Sequence, residues 1–177
     1  MTRAGRRQAR LLGCSLILAI VAAACGSPGA TTSPDLPADL ALTTLAEGAP
    51  ATLAGLRGSP VLLSSWATWC GECKPHLPDL EGLWKARGAD GLAVVAVNVD
   101  GPGINREIAP MVEGVGLTMP VWLDPHRAFA TAFGMSGVPS TVLLDRSGHV
   151  IRRWLGPVDF MGDDVMDAVD VALEASR

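Results

Sequence analysis

Leu63-Ser64-Ser65-Trp66-Ala67-Thr68-Trp69-Cys70-Gly71-Glu72-Cys73-Lys74 sets two cysteines between an apolar run and a segment of helical spacing. Val61 to Trp66 reads as a strand, and Cys70 to Arg87 carries apolar residues at Leu77, Leu80, Leu83 and Trp84, as one face of a helix would. The cysteines therefore fall at a strand-to-helix junction. A thiol at a helix N-terminus meets backbone N–H groups without intrahelical acceptors, and the helix dipole favours its thiolate. A second thiol three residues on lies within reach of a disulfide. Cys70 can attack a substrate disulfide and Cys73 can then release the product by attacking Cys70; run backwards, the same steps oxidise a dithiol. A zinc knuckle would need a second ligand pair, and a c-type haem attachment would need His where Lys74 stands. An inert bridge closing so short a loop would gain little stability.

Outward from this junction, Leu92 to Val99 is nearly all Val and Ala without alternation, as in a strand covered on both faces of a parallel sheet. Strand, helix and strand make a βαβ unit. Beyond the turn Asp100-Gly101-Pro102-Gly103 come a helix from Asn105 to Val115, a short strand from Met119 to Leu123 and a short helix from Arg127 to Phe133. Thr141 to Leu144 and His149 to Leu155 flank Asp145-Arg146-Ser147-Gly148, a hairpin turn by composition. A last helix is expected near Phe160 to Ala175, with Met161, Val165, Val169, Ala172 and Leu173 as its apolar stripe and Asp163 and Asp164 at its start. Upstream, Leu40 to Leu45 and Ala51 to Leu53 are short strands around Glu47-Gly48. The expected fold is α/β: a mixed sheet of about five strands with helices on both faces, preceded by a short hairpin, in one domain over residues 40–177. Prolines at 75 and 78 predict a kink or an irregular start to the first helix.

The N-terminus reads as an address. Arg3, Arg6, Arg7 and Arg10 precede the apolar run Leu11 to Ala24, too short to cross a bilayer and suited to an export signal over residues 1–24. Val21-Ala22-Ala23-Ala24-Cys25 resembles the lipobox of bacterial lipoproteins, with Ala22 where leucine is commoner. That resemblance implies a diacylglycerol on Cys25 and attachment to a bacterial membrane; the alternative is an ordinary signal peptide with an incidental cysteine. Residues 25–39, small and proline-rich, read as the lipidated N-terminus and a flexible linker. Composition adds exclusions. Setting the four arginines aside leaves ten Lys and Arg against 18 acids, a balance of −8, so nucleic acid is not an expected partner. Four cysteines in 177 residues are no disulfide framework, and 49% hydrophobic residues exclude a disordered chain.

With Pro78 five residues after Cys73, the quoted stretch resembles the thioredoxin fold and, within it, the TlpA/ResA-like thiol–disulfide oxidoreductases of the bacterial cell exterior. Leu56-Arg57-Gly58-Ser59-Pro60 before the strand fits the same branch, and Gly137-Val138-Pro139-Ser140-Thr141 matches its second signature. The resemblance covers roughly Leu40 to Leu173. It implies Cys70 as nucleophile, Cys73 as resolving cysteine, a redox-active Cys70–Cys73 disulfide in place of any other cofactor, and a cis peptide at Val138-Pro139 facing the cysteines. Pro139 would shape the substrate groove, and Trp69, Gly71, Glu72 and Val138 would meet the bound chain. Expected partners are exported proteins with disulfides or dithiols, apocytochromes c among them, and a membrane-embedded electron donor or acceptor.

Two departures from the pattern concern proton transfer. Thioredoxins usually carry a buried Asp six residues before the first cysteine, and here that position is Ser64. The TlpA/ResA-like branch often has Glu three residues after the second cysteine, and here it is His76. His76, one helical turn from Cys73, and Glu72 are the candidate proton acceptors for Cys73. The plainer alternatives are an exposed helix histidine and a solvated glutamate. Trp66 is expected in the core, Trp69 at the rim of the site, and His126 and His149 at the surface. The direction of electron flow stays open, with a disulfide-forming oxidase of the same fold as one alternative. A Cu(I)-binding metallochaperone using Cys70, Cys73 and His76 is another. A peroxidase would need Thr and Pro upstream of a lone reactive cysteine, which Trp69-Cys70-Gly71-Glu72-Cys73 does not offer.

Overall fold

The computed structural model describes residues 40 and 42–175; the expected signal peptide, Cys25 and linker lie outside them. In chain order the elements are β1 (Leu42–Thr44), β2 (Pro50–Ala51), β3 (Val61–Trp66), α1 (Cys73–Arg87), β4 (Ala93–Asn98), α2 (Asn105–Val115) and β5 (Val121–Leu123), then α3 (Ala128–Phe133), β6 (Ser140–Leu144), β7 (Val150–Leu155) and α4 (Asp163–Glu174). One sheet holds all seven strands in the order β2-β1-β5-β4-β3-β6-β7. The five expected central strands are there. The N-terminal hairpin, expected as a separate preface, extends the same sheet because β1 pairs antiparallel with β5, Thr43 opposite Leu123.

β3 and β4 run parallel from Val61 opposite Ala93 to Trp66 opposite Asn98, and β6 lies antiparallel on the other side of β3. Every residue of β3 and β6 is buried. Both faces are covered, so their sequences lack the alternation of a half-exposed strand. Ser64, Ser65, Ser140 and Thr141 are the polar exceptions, and each is hydrogen-bonded. α1 begins at Cys73, not at Cys70, and runs unbroken past both prolines. Pro75 falls in its first turn, where the missing N–H would have had no intrahelical acceptor. Its buried face comprises Cys73, His76, Leu77, Leu80, Glu81 and Leu83. Burying each of the three leucines stabilises the fold by about 1.5–3 kcal/mol.

Glu81 sits on that buried face. Burial alone would raise its pKa, but the Thr118 hydroxyl, the Thr118 and Met119 amides and Lys85 outweigh it and hold the carboxyl below its ordinary value. α4 buries Val165, Val169, Ala172 and Leu173. Met161, expected in this stripe, precedes the helix and is 52% exposed. Asp164 is more than solvated surface: it accepts from Trp154 Nε1 at 2.6 Å and from Arg152, tying α4 to β7. Arg87 pairs with Asp170 and ties α1 to the same helix. The second expected strand of the N-terminal hairpin ends at Ala51, and Leu53–Leu56 is a short 3-10 turn instead. No helix among the described residues is long and apolar enough to cross a membrane.

Candidate active site

Both cysteines follow the carboxyl end of β3, where open α/β sheets place their sites. The connecting loop is fixed from the neighbouring strand. The buried carboxylate of Asp100 accepts from the Thr68 amide at 2.9 Å and its hydroxyl at 3.1 Å, and from Asn98 Nδ2 at 2.8 Å. Asn98 Oδ1 in turn accepts from the Asp100 amide. Asp100 had read only as part of a turn; an acid directly after a buried parallel strand was the available signal.

Cys70 and Cys73 are joined in a disulfide. The two sulfurs have different surroundings: Cys73 is wholly enclosed, whereas Cys70 keeps 6% of its surface, and its neighbour Trp69 is 61% exposed. The Cys73 amide, first of α1, donates to Cys70 Sγ at 3.1 Å. This first-turn N–H is shared between Cys70 Sγ and the Cys70 carbonyl at 3.3 Å, and an N–H aimed at sulfur favours a thiolate. The Val138 carbonyl oxygen lies 3.9 Å from Cys70 Sγ, and the Val138–Pro139 peptide is cis. Ser65 Oγ donates to the Ser140 carbonyl and accepts from the Ser140 amide, so β3 holds the loop that carries Pro139. Gly71 and Glu72 are exposed, and Glu72 makes no side-chain hydrogen bond to the start of α1.

His76 is not the exposed helix histidine that was one alternative. It is 4% exposed, packs against Phe160 with ring centroids 4.4 Å apart, and places Nε2 3.2 Å from Ser64 Oγ. Ser64 Oγ also lies 2.9 Å from Thr141 Oγ1. Burial lowers the His76 pKa to about 4, against the smaller raising effects of Asp79 and the Val158 carbonyl. At neutral pH the ring is therefore uncharged. The position of the branch's Glu and that of the thioredoxins' Asp are thus joined here in one neutral network, Ser64–His76. In this disulfide form the sulfurs of Cys70 and Cys73 are bonded to each other, and the His76 ring faces Ser64 and Val158. Trp66 is buried, and His126 and His149 are exposed.

Beside the disulfide opens a cleft of about 120 Å³, lined by Ser65, Trp69, Val99, Arg127, Met135 and Val138 among others. The start of α3 forms part of its wall, and there the buried Asp124 carboxylate accepts from the Ala128 and Phe129 amides, both at 2.8 Å.

A central mixed sheet, a Cys70–Cys73 disulfide at the head of the first helix and a cis-proline loop against it define a thioredoxin-like fold. The chain belongs to the AhpC/TSA family, whose pattern matches residues 34–153. It is similar to the thiol-disulfide oxidoreductase ResA of Geobacillus thermodenitrificans, 35% identical over 112 residues that make up 63% of each chain. ResA of Bacillus subtilis is 31% identical over 118 residues, 66% of this chain and 65% of that one. The chain thus spans a little under two thirds of the length of these curated relatives. Among solved structures, a Chlorobium tepidum protein given as a thiol:disulfide interchange protein of DsbE type superposes with a TM-score of 0.70 at 28% identity, over 78% of this chain and 95% of that one. The TlpA/ResA-like resemblance read from the motifs is shared with these proteins.

Proposed function

We propose that the chain is an extracytoplasmic thiol–disulfide oxidoreductase that reduces disulfides in exported proteins, apocytochromes c among them. The observation that carries this reading is the unequal environment of the two sulfurs: Cys70 keeps 6% of its surface exposed, with the Val138 carbonyl 3.9 Å from its Sγ, and Cys73 is wholly enclosed. In the reduced protein the Cys70 thiolate attacks one sulfur of a substrate disulfide. The substrate S–S bond breaks, a mixed disulfide forms, and the first substrate thiolate leaves and takes a proton from solvent. The Cys73 thiol attacks Cys70 Sγ as its proton passes to the departing second substrate thiolate; the mixed disulfide breaks, substrate has gained two electrons, and the Cys70–Cys73 disulfide is restored. A membrane-embedded donor, passing electrons by thiol exchange, returns the pair to the dithiol. Pro139 shapes the groove and the Val138 backbone holds the incoming chain, while Trp69, Gly71 and Glu72 form its exposed rim. The redox group is the disulfide itself. Names of the relatives support the activity; the direction rests on the branch resemblance.

The reduction potential of the Cys70–Cys73 couple tests the direction. A value near about −270 mV is expected for a reductant, and one near about −120 mV would make the protein an oxidant instead.

The export signal and lipobox-like stretch support a lipid anchor on Cys25 at the outer side of a bacterial membrane. Cys25→Ala is expected to move the protein from the membrane fraction to the soluble one. Equal membrane retention of the variant, or a mature N-terminus elsewhere by mass spectrometry, would overturn the anchor.

A further inference from the structure

The cleft beside the disulfide has one charged residue in its lining. Arg127 stands there among Ser65, Trp69, Val99, Met135 and Val138, otherwise apolar or neutral side chains. Its residue is exposed, and its guanidinium makes no ion pair or hydrogen bond among the described residues. By contrast Arg87 and Arg152 are engaged with carboxylates and Arg153 with the Phe133 carbonyl.

Arg127 is also the one described non-glycine residue with positive φ, at 56°. That left-handed backbone is unfavourable for a long side chain and suits Gly, Asn or Asp. It is held by neighbours on both sides: the Arg127 amide donates to the Asp124 carbonyl at 3.2 Å, the Arg127 carbonyl accepts from the Thr131 amide at 3.1 Å, and the Asp124 side chain fixes the next two amides. A cation rooted so firmly, in a conformation its residue type disfavours, and left unpaired at the mouth of a cleft, is placed for a partner that arrives from outside.

Resting on the oxidoreductase reading above, we infer that Arg127 selects substrates by pairing with a carboxylate next to the attacked disulfide. The substrate class is then a disulfide-bonded polypeptide with an acidic residue beside its cysteine. Trp69 and Val138 line the same cleft and flank Cys70 and Pro139, so a chain whose sulfur reaches Cys70 runs its neighbouring residues along the wall that Arg127 ends. Arg127 touches substrate without touching the reacting sulfurs, so its effect falls on KM.

The test uses two cyclic disulfide peptides that differ only in carrying Asp or Asn at the positions flanking the cysteine. Wild-type protein is expected to prefer the Asp peptide about fivefold in kcat/KM, chiefly through KM, as a partly exposed ion pair allows. R127Q and R127G should both bring the ratio to about one, and R127K should keep most of it. R127G guards against misfolding, because glycine adopts φ 56° without strain. Equal rates for the two peptides with wild type, or a preference that survives in R127G, would overturn the assignment. A wild-type protein that reduces neither peptide nor hydroxyethyl disulfide would refute the activity itself, a different outcome from turnover without preference.

Discussion

Cys70→Ala is expected to lower disulfide reduction by at least about 10³-fold, to the limit of detection in an insulin turbidity assay, because the nucleophile that forms the mixed disulfide is gone. Cys73→Ala should lose turnover as completely and yet behave differently. Cys70 would still attack, with no second thiol to expel it from the product, so the variant should accumulate covalent adducts with substrate, visible as reducible bands on a gel. The asymmetry follows from placement: Cys73 is fully enclosed and meets its partner sulfur only from inside, while Cys70 faces Val138 and the exposed Trp69. Turnover without Cys70, or adducts trapped on Cys73 in the Cys70→Ala variant, would reverse the roles. Alkylation gives the same result from another side, since iodoacetamide should reach Cys70 first in the reduced protein.

The second large effect is on stability toward acid. His76 is neutral in the fold with a pKa of about 4, against 6.5 in the unfolded chain. Between those values the unfolded state binds a proton that the native state does not, so stability falls as pH falls. The contribution is complete above about pH 6.5 and lost progressively toward pH 4. From pH 7 to pH 5 the loss is about 2 kcal/mol, at 1.36 kcal/mol per pH unit once the unfolded histidine is protonated. Urea unfolding at pH 7 and pH 5 checks this by comparison with His76→Gln, which cannot take up the proton. The variant will be less stable at pH 7, with imperfect partners for Ser64 and Val158, but its stability should change less across the interval. Equal pH dependence in the two proteins would mean that His76 titrates as it does in the unfolded chain.

Much of the fold was legible because its signals are local. The unalternating Val and Ala of β4, the leucine spacing of α1 and the Asp145–Gly148 turn each announce an element, and each element is present. What lay hidden was how elements meet. Nothing local says that β1 pairs with β5, so the hairpin reads as separate although it extends the sheet. The burial of His76 was within reach: Cys73, His76, Leu77, Leu80 and Leu83 share one helical face, and the apolar members already pointed inward. Asp100, Asp124 and Glu81 could not be placed in the same way. Two of these carboxylates serve amides or hydroxyls more than 30 residues away, Asp100 at Thr68 and Glu81 at Thr118, and only the folded chain brings them together. Arg127 read as the start of a helix, and its unusual φ is a property of the backbone that its residue type would not have suggested. Cys70, Cys73 and Pro139, by contrast, sit in short motifs whose chemistry can be read without knowing the fold.

The register of β1 has a geometric consequence for orientation. β3, β4 and β5 point their carboxyl ends the same way, and β1 runs against them, so Leu42 begins at the pole of the molecule where Cys70 follows Trp66. Leu42 and the disulfide thus share one end of the sheet. Leu40 lies fifteen steps along the chain from Cys25, a contour length of at most about 50 Å. Were the chain held by the lipid proposed on Cys25, the tether would enter the sheet at the end that carries the disulfide, and the Cys70–Cys73 pair would face the anchoring surface and not away from it.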